Sequence, residues 1–158
     1  MIRFFTDLLH NEMMIAAACG WVTAQVIKTI LVLIIEKKLV LERLFGAGGM
    51  PSAHSATVCA LATSAALAYG GNGPAFPLAF FLAFIVMYDA RGVRRETGEQ
   101  AKVINEMLML WTKMGEDFKS RDPMDQLKEL VGHTPLQVAV GALLGIAIAV
   151  LVHFLWFV

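Results

Sequence analysis

The chain has 158 residues, 58% of them hydrophobic and only 16% charged, and its 13 Lys and Arg are balanced by 13 Asp and Glu. Soluble domains run at about 45–50% apolar and about 25% charged, so this is the composition of a single membrane domain. Balanced charge, with the basic residues confined to short juxtamembrane stretches, argues against nucleic-acid binding.

The first apolar run covers about 13–35. Asp7 and Glu12 precede it, it exceeds 20 residues and no small-x-small site closes it, so it is expected to stay as a span rather than leave as a signal peptide. Lys28 falls near its middle, about 10–12 Å from either end at about 1.5 Å per residue. A charge at that depth calls for a partner or a polar pocket, the alternative being a snorkelling side chain. Gln25 sits one turn earlier.

A basic loop follows, with Lys37, Lys38 and Arg43, then Gly46-Ala47-Gly48-Gly49-Met50 and Pro51-Ser52-Ala53-His54. The glycines allow close approach to a ligand, and Pro51 with Ser52 suits a helix start whose free N–H groups point at an anion. Ser52 adds a hydroxyl, and His54 is placed to protonate a leaving alkoxide. The plain alternative is a helix cap with an interfacial histidine. Cys59, like Cys19, lies in an apolar run and reads as a small buried hydrophobe.

The next apolar segments, about 55–70 and 75–89, are joined by Gly70-Gly71-Asn72-Gly73-Pro74. Both are short against the roughly 20 residues needed to cross, so four crossings and a re-entrant hairpin stay open. The loop 90–132 opens on Asp89, Arg91, Arg94, Arg95 and Glu96. Its arginines suit either a phosphate clamp or an anchor to anionic lipid. Within it, Val103, Ile104, Met107, Leu108, Leu110 and Trp111 are spaced as one face of a helix, lying on the membrane or over the bundle mouth. Ser120 to Pro123 reads as a break and Met124 to Val131 as a short helix. The last span, about 135–157, opens on Gly132-His133-Thr134-Pro135 and carries Gly141 and Gly145. That GxxxG pattern serves packing within the bundle or a homo-oligomer. His10 and His153 fall away from both motifs.

Of the 13 Lys and Arg, 11 lie in the two loops that a four-span path puts on one side. The positive-inside rule makes that side cytoplasmic, with both termini outside. Both histidine motifs then face the cytoplasm, where one histidine can attack phosphorus and the other serve as acid.

These motifs resemble the type 2 phosphatidic acid phosphatase and vanadium-dependent haloperoxidase-related superfamily, in its divergent bacterial and plant branch. Pro51-Ser52-Ala53-His54 resembles the family's Pro-Ser-Gly-His, and the run from Gly132 to Gly141 its last element. The stretch Asp89 to Gln100, with Gly92-Val93-Arg94-Arg95, resembles the divergent branch, and the likeness covers essentially the whole chain. It implies His133 as nucleophile and His54 as leaving-group acid. Gln137 stands where the family has the Asp that orients the nucleophile, and Leu127 where it has an Arg. Lys37 and Arg43 are one residue too close for the first element, and no Pro follows Arg43. Lys28, Arg94 or Arg95 would supply the missing positive charge.

The expectation is an all-α integral membrane bundle of about four transmembrane helices with a cytoplasmic amphipathic helical segment, a multi-pass protein of the cytoplasmic membrane. The expected function is a cofactor- and metal-independent phosphatase for a polyprenyl or glycerolipid phosphate. His133 and His54 are catalytic, Ser52, Lys28, Lys37, Lys38, Arg43, Arg94 and Arg95 bind substrate, and Asp89 and Gln137 support. The rivals are a non-catalytic anionic-lipid-binding or assembly protein, and a Mg²⁺-dependent phosphoryl or phosphatidyl transferase using Asp89 with Glu96 or Glu99.

Overall fold

A computed structural model describes residues 2–37, 49–113, 127 and 132–158. Six α-helices account for most of these residues: α1 (Ile2–Leu9), α2 (Glu12–Glu36), α3 (Ala53–Tyr69), α4 (Ala75–Arg91), α5 (Val93–Lys113) and α6 (Pro135–Val152). A π-helical turn, His153–Phe157, closes α6.

Each helix starts and stops on local chemistry. Asn11 caps α2, its side chain accepting from the Met14 N–H at 3.1 Å, and Glu12 lies in the positive first turn. Ser52 caps α3, accepting from the N–H and the hydroxyl of Ser55. Gly70, at φ +74°, ends α3 and donates its N–H to the Ala66 carbonyl. Gly92 breaks α4 from α5. Thr134 and Gln137 form a reciprocal capping box on α6, with Pro135 in its first turn.

Among the described residues, three stretches form helices of 18 or more residues apolar enough to cross a membrane: Glu12–Ile35, Ala75–Trp111 and Pro135–Phe157. The second expected crossing, α3, has 17 residues and covers about 26 Å, a little under the hydrocarbon thickness of about 30 Å. It is the central helix, packed against α2, α4 and α6. The third runs past residue 89 to Arg91 and resumes after Gly92 as α5.

Small residues make this packing possible. Ala24 meets Ala53 and Ala56, while Ala16 meets Ala60 and Ala149, so α2 runs antiparallel to α3. Gly141 lies on Ser52 and Gly145 on Ala56, so α6 runs parallel to α3. The glycine pair is therefore used inside the bundle, and its surface is closed to a second copy. Large side chains such as Phe80, Phe81, Phe84 and Ile85 point outward. In lipid, where apolar surface gains nothing by hiding, close backbone contact replaces a bulky core.

An added methyl at Gly145 would overlap the Ala56 carbonyl, whereas one at Gly71 meets open space. Gly145→Ala is expected to destabilise by about 1–3 kcal/mol through overpacking. Thermal unfolding in detergent should show a clear drop for Gly145→Ala and no change for Gly71→Ala.

Candidate functional site

The antiparallel arrangement gathers four chain segments at one end of the bundle: the second half of α2, the start of α3, the end of α4 and the start of α6. Two backbone bonds lock them. The Ser52 N–H donates to the Gln137 carbonyl at 3.1 Å, and the His133 N–H to the Ala90 carbonyl at 3.0 Å. His54 and His133, separated by half the length of the chain, then stand with ring centroids 6.0 Å apart at 65°.

The two rings differ in setting. His54 is exposed, while His133 is 3% exposed. The Gln137 side-chain oxygen accepts the Thr134 N–H at 3.1 Å and faces His133 Nδ1 at 3.2 Å. Because a backbone N–H must meet oxygen, Thr134 fixes which way the Gln137 amide points. An amide oxygen only accepts, so the neutral His133 ring carries its hydrogen on Nδ1. The Gly49 backbone also meets the ring. Burial pushes the His133 imidazole below its ordinary value. Contact with Gln137 acts upward, the positive charges of His54 and Lys28 act downward, and the Gly49 backbone acts upward. The net direction keeps the ring neutral near pH 7.

Lys28 is 2% exposed, the buried mid-span charge the sequence marked. Its aliphatic stem passes beside Gly49, where a Cβ would stand 3.4 Å from Cγ and Cδ. Gly49, at φ +83°, is one position where glycine is required. Gln25, a turn deeper, is 6% exposed, and its side-chain oxygen has no hydrogen-bond partner among the described residues.

The other expected residues distribute unevenly. Ser52 is fully buried, with its oxygen turned to Ser55 as a cap. Asp89 is half-buried just before Ala90. Lys37 ends α2 in an exposed left-handed turn, Arg95 is exposed on α5 and Arg94 shares its first turn. Among the described residues, the charges acting on His133 are those of His54 and Lys28. Lys38 and Arg43 lie outside the described residues. No three His, Cys, Asp or Glu converge as a metal site among the described residues, which leaves the Asp89 magnesium reading without a ligand set.

Sequence reasoning passed over a polar cluster at the opposite end. His153 Nδ1 lies 3.0 Å from Glu12 Oε1, which also accepts from Ser64 at 3.1 Å. Only the antiparallel register makes residues 12 and 153 neighbours, so periodicity carries no trace of it.

Caps, register and the facing histidines define an all-α membrane protein with a polar site at one end. A family model described as "Divergent PAP2 family" matches residues 9–148, and the chain belongs to that family. It is 36% identical over 154 residues to the uncharacterized membrane protein YuiD of Bacillus subtilis (strain 168), a match that covers 94% of this chain and 98% of the relative. No solved structure matches.

Replacing Gln137 by Glu keeps the length of the cap and puts a carboxylate on Nδ1. The His133 titration, followed by NMR of labelled imidazoles, should lie below the usual histidine range in the native protein. It should move upward in Gln137→Glu, because the added negative charge favours the imidazolium.

Proposed function

We propose that the protein is a lipid-phosphate phosphatase working through the two histidines. The observation that carries this reading is the relay Thr134–Gln137–His133 with His54 facing it, since it presents an unprotonated Nε2 beside a second imidazole. His133 Nε2 attacks phosphorus as the P–O bond to the alcohol breaks, and His54 gives its proton to the departing oxygen. A water then attacks the phosphohistidine. His54 takes the water's proton, and inorganic phosphate leaves as the P–N bond breaks.

Lys28 supports the same reading, because a buried ammonium beside the nucleophile draws an anion to it. Gln137 in place of a carboxylate holds the ring's orientation and favours the imidazolium less than a full negative charge would. That suits a nucleophile kept neutral by burial. An apolar groove of about 350 Å³ between α3, α4 and α6, lined by Cys59, Thr63, Phe80, Phe84 and Ile146, gives hydrocarbon a place beside the bundle. A lipid phosphate fits this pairing of a polar head and an apolar flank, with a polyprenyl or a glycerolipid as its tail. By charge distribution the site faces the cytoplasm, with both termini outside.

Phosphate release from polyprenyl and glycerolipid phosphates, assayed in detergent with EDTA, tests the reading. Wild type should release phosphate, and His133→Ala should fall to background. His54→Ala should lose about 10²-fold or more, and Lys28→Met should raise KM about tenfold through a lost charge-assisted contact. Release that needs metal, or that survives His133→Ala, would refute the mechanism.

A further inference from the structure

The helix α5 is not part of the bundle. Among the described elements it packs only on α4, from which Gly92 separates it. Val93, Ile104, Met107 and Trp111 follow one another along one exposed stripe, with Val103 and Leu110 on its flank. Arg95, Lys102 and Glu106 occupy the opposite side, where Lys102 pairs with Glu99 at 3.2 Å. A third face is buried, at Gly98, Ala101 and Asn105.

Asn105 explains that burial. It is 3% exposed, donates from Nδ2 to the Leu127 carbonyl at 3.0 Å and accepts the Leu127 N–H at 3.2 Å. This two-point clamp holds the chain a few residues upstream of Gly132 and His133. The sequence marked Leu127 only as standing where the family has an Arg, and it did not mark Asn105.

Length decides what covers the apolar stripe. The stretch Ala75–Trp111 has 37 residues, about 55 Å of helix against a hydrocarbon thickness of about 30 Å. Only its first half fits inside, and the charges from Arg91 onward put the exit at the α4 end. The segment α5 therefore begins at the bilayer surface, and its stripe continues the lipid-facing surface of Phe84, Ile85 and Tyr88. Its positive and negative side chains nearly cancel, so the stripe rather than charge does the binding.

We propose that α5 lies flat in the headgroup–acyl boundary of the bilayer and, through Asn105, holds Leu127 in place and with it the position of His133. The membrane itself is then the surface that sets the approach to His133. Asn105 is a positioning residue in this scheme, and neither readout below depends on the phosphatase reading.

The test uses the full chain in phosphatidylcholine vesicles, with Trp21→Phe and Trp156→Phe leaving Trp111 as the reporter. Trp111 emission should be blue-shifted, quenched more by shallowly than by deeply brominated lipid, and insensitive to high salt. Quenching by aqueous iodide, or stronger quenching by the deep bromines, would overturn the surface placement. In the same vesicles, Asn105→Ala should raise diethylpyrocarbonate labelling at His133 at least several-fold, read by mass spectrometry. Trp111 quenching should stay unchanged. Asn105→Asp, which keeps the acceptor and loses the donor, should fall between. Unchanged labelling in both variants would overturn the positioning role.

Discussion

Everything at the candidate site depends on how closely α6 approaches α3. Gly141 rests on Ser52 and Gly145 on Ala56, with no room for a methyl group between the backbones. That contact sets two parallel helices side by side, with the start of α3 beside the second turn of α6. Each start carries a histidine, so the contact brings His54 and His133 to 6.0 Å. Lipid offers no hydrophobic drive to close such an interface, so small residues and backbone proximity have to do it. The Ser52–Gln137 backbone bond then fixes the register of the two starts.

The same architecture bears on the state of the His133 ring. Two helix-cap bonds, made to satisfy free N–H groups at the start of α6, also orient the Gln137 amide. The amide in turn assigns the His133 tautomer. The helix cap and the contact that orients the His133 ring are here one side chain. The polar ends of the bundle differ in kind. The histidine end holds a buried cation and, at Gln25, an amide oxygen with no partner among the described residues. The far end closes on itself, with Glu12 held by both Ser64 and His153.

Local signals were legible in the sequence. The caps at Ser52 and Thr134, the break at Gly70 to Pro74, the apolar segments at about 13–35, 55–70, 75–89 and 135–157 and the amphipathic α5 all follow from residues within one or two turns. Lys28 was legible because a charge that deep has few bland explanations. Partners far apart in the chain were not. Asn105 with Leu127, Glu12 with His153 and Lys28 with Gly49 depend on register and turn geometry that no periodicity records. Ser52 shows the converse limit. Its residue type suits a phosphate ligand and a cap equally, and only its full burial against Ser55 shows the cap in use. The GxxxG pattern was equally two-sided until the α3 backbone was found against it.

The central claim is a covalent phosphoryl group on His133. Incubating the reconstituted protein briefly with a ³²P-labelled lipid phosphate, then denaturing it in alkali, tests this directly. The account predicts protein-bound label that is stable in base, lost in acid, mapped to the His133 peptide and missing from His133→Ala. Phosphate release without any such label, or label retained in His133→Ala, would contradict it.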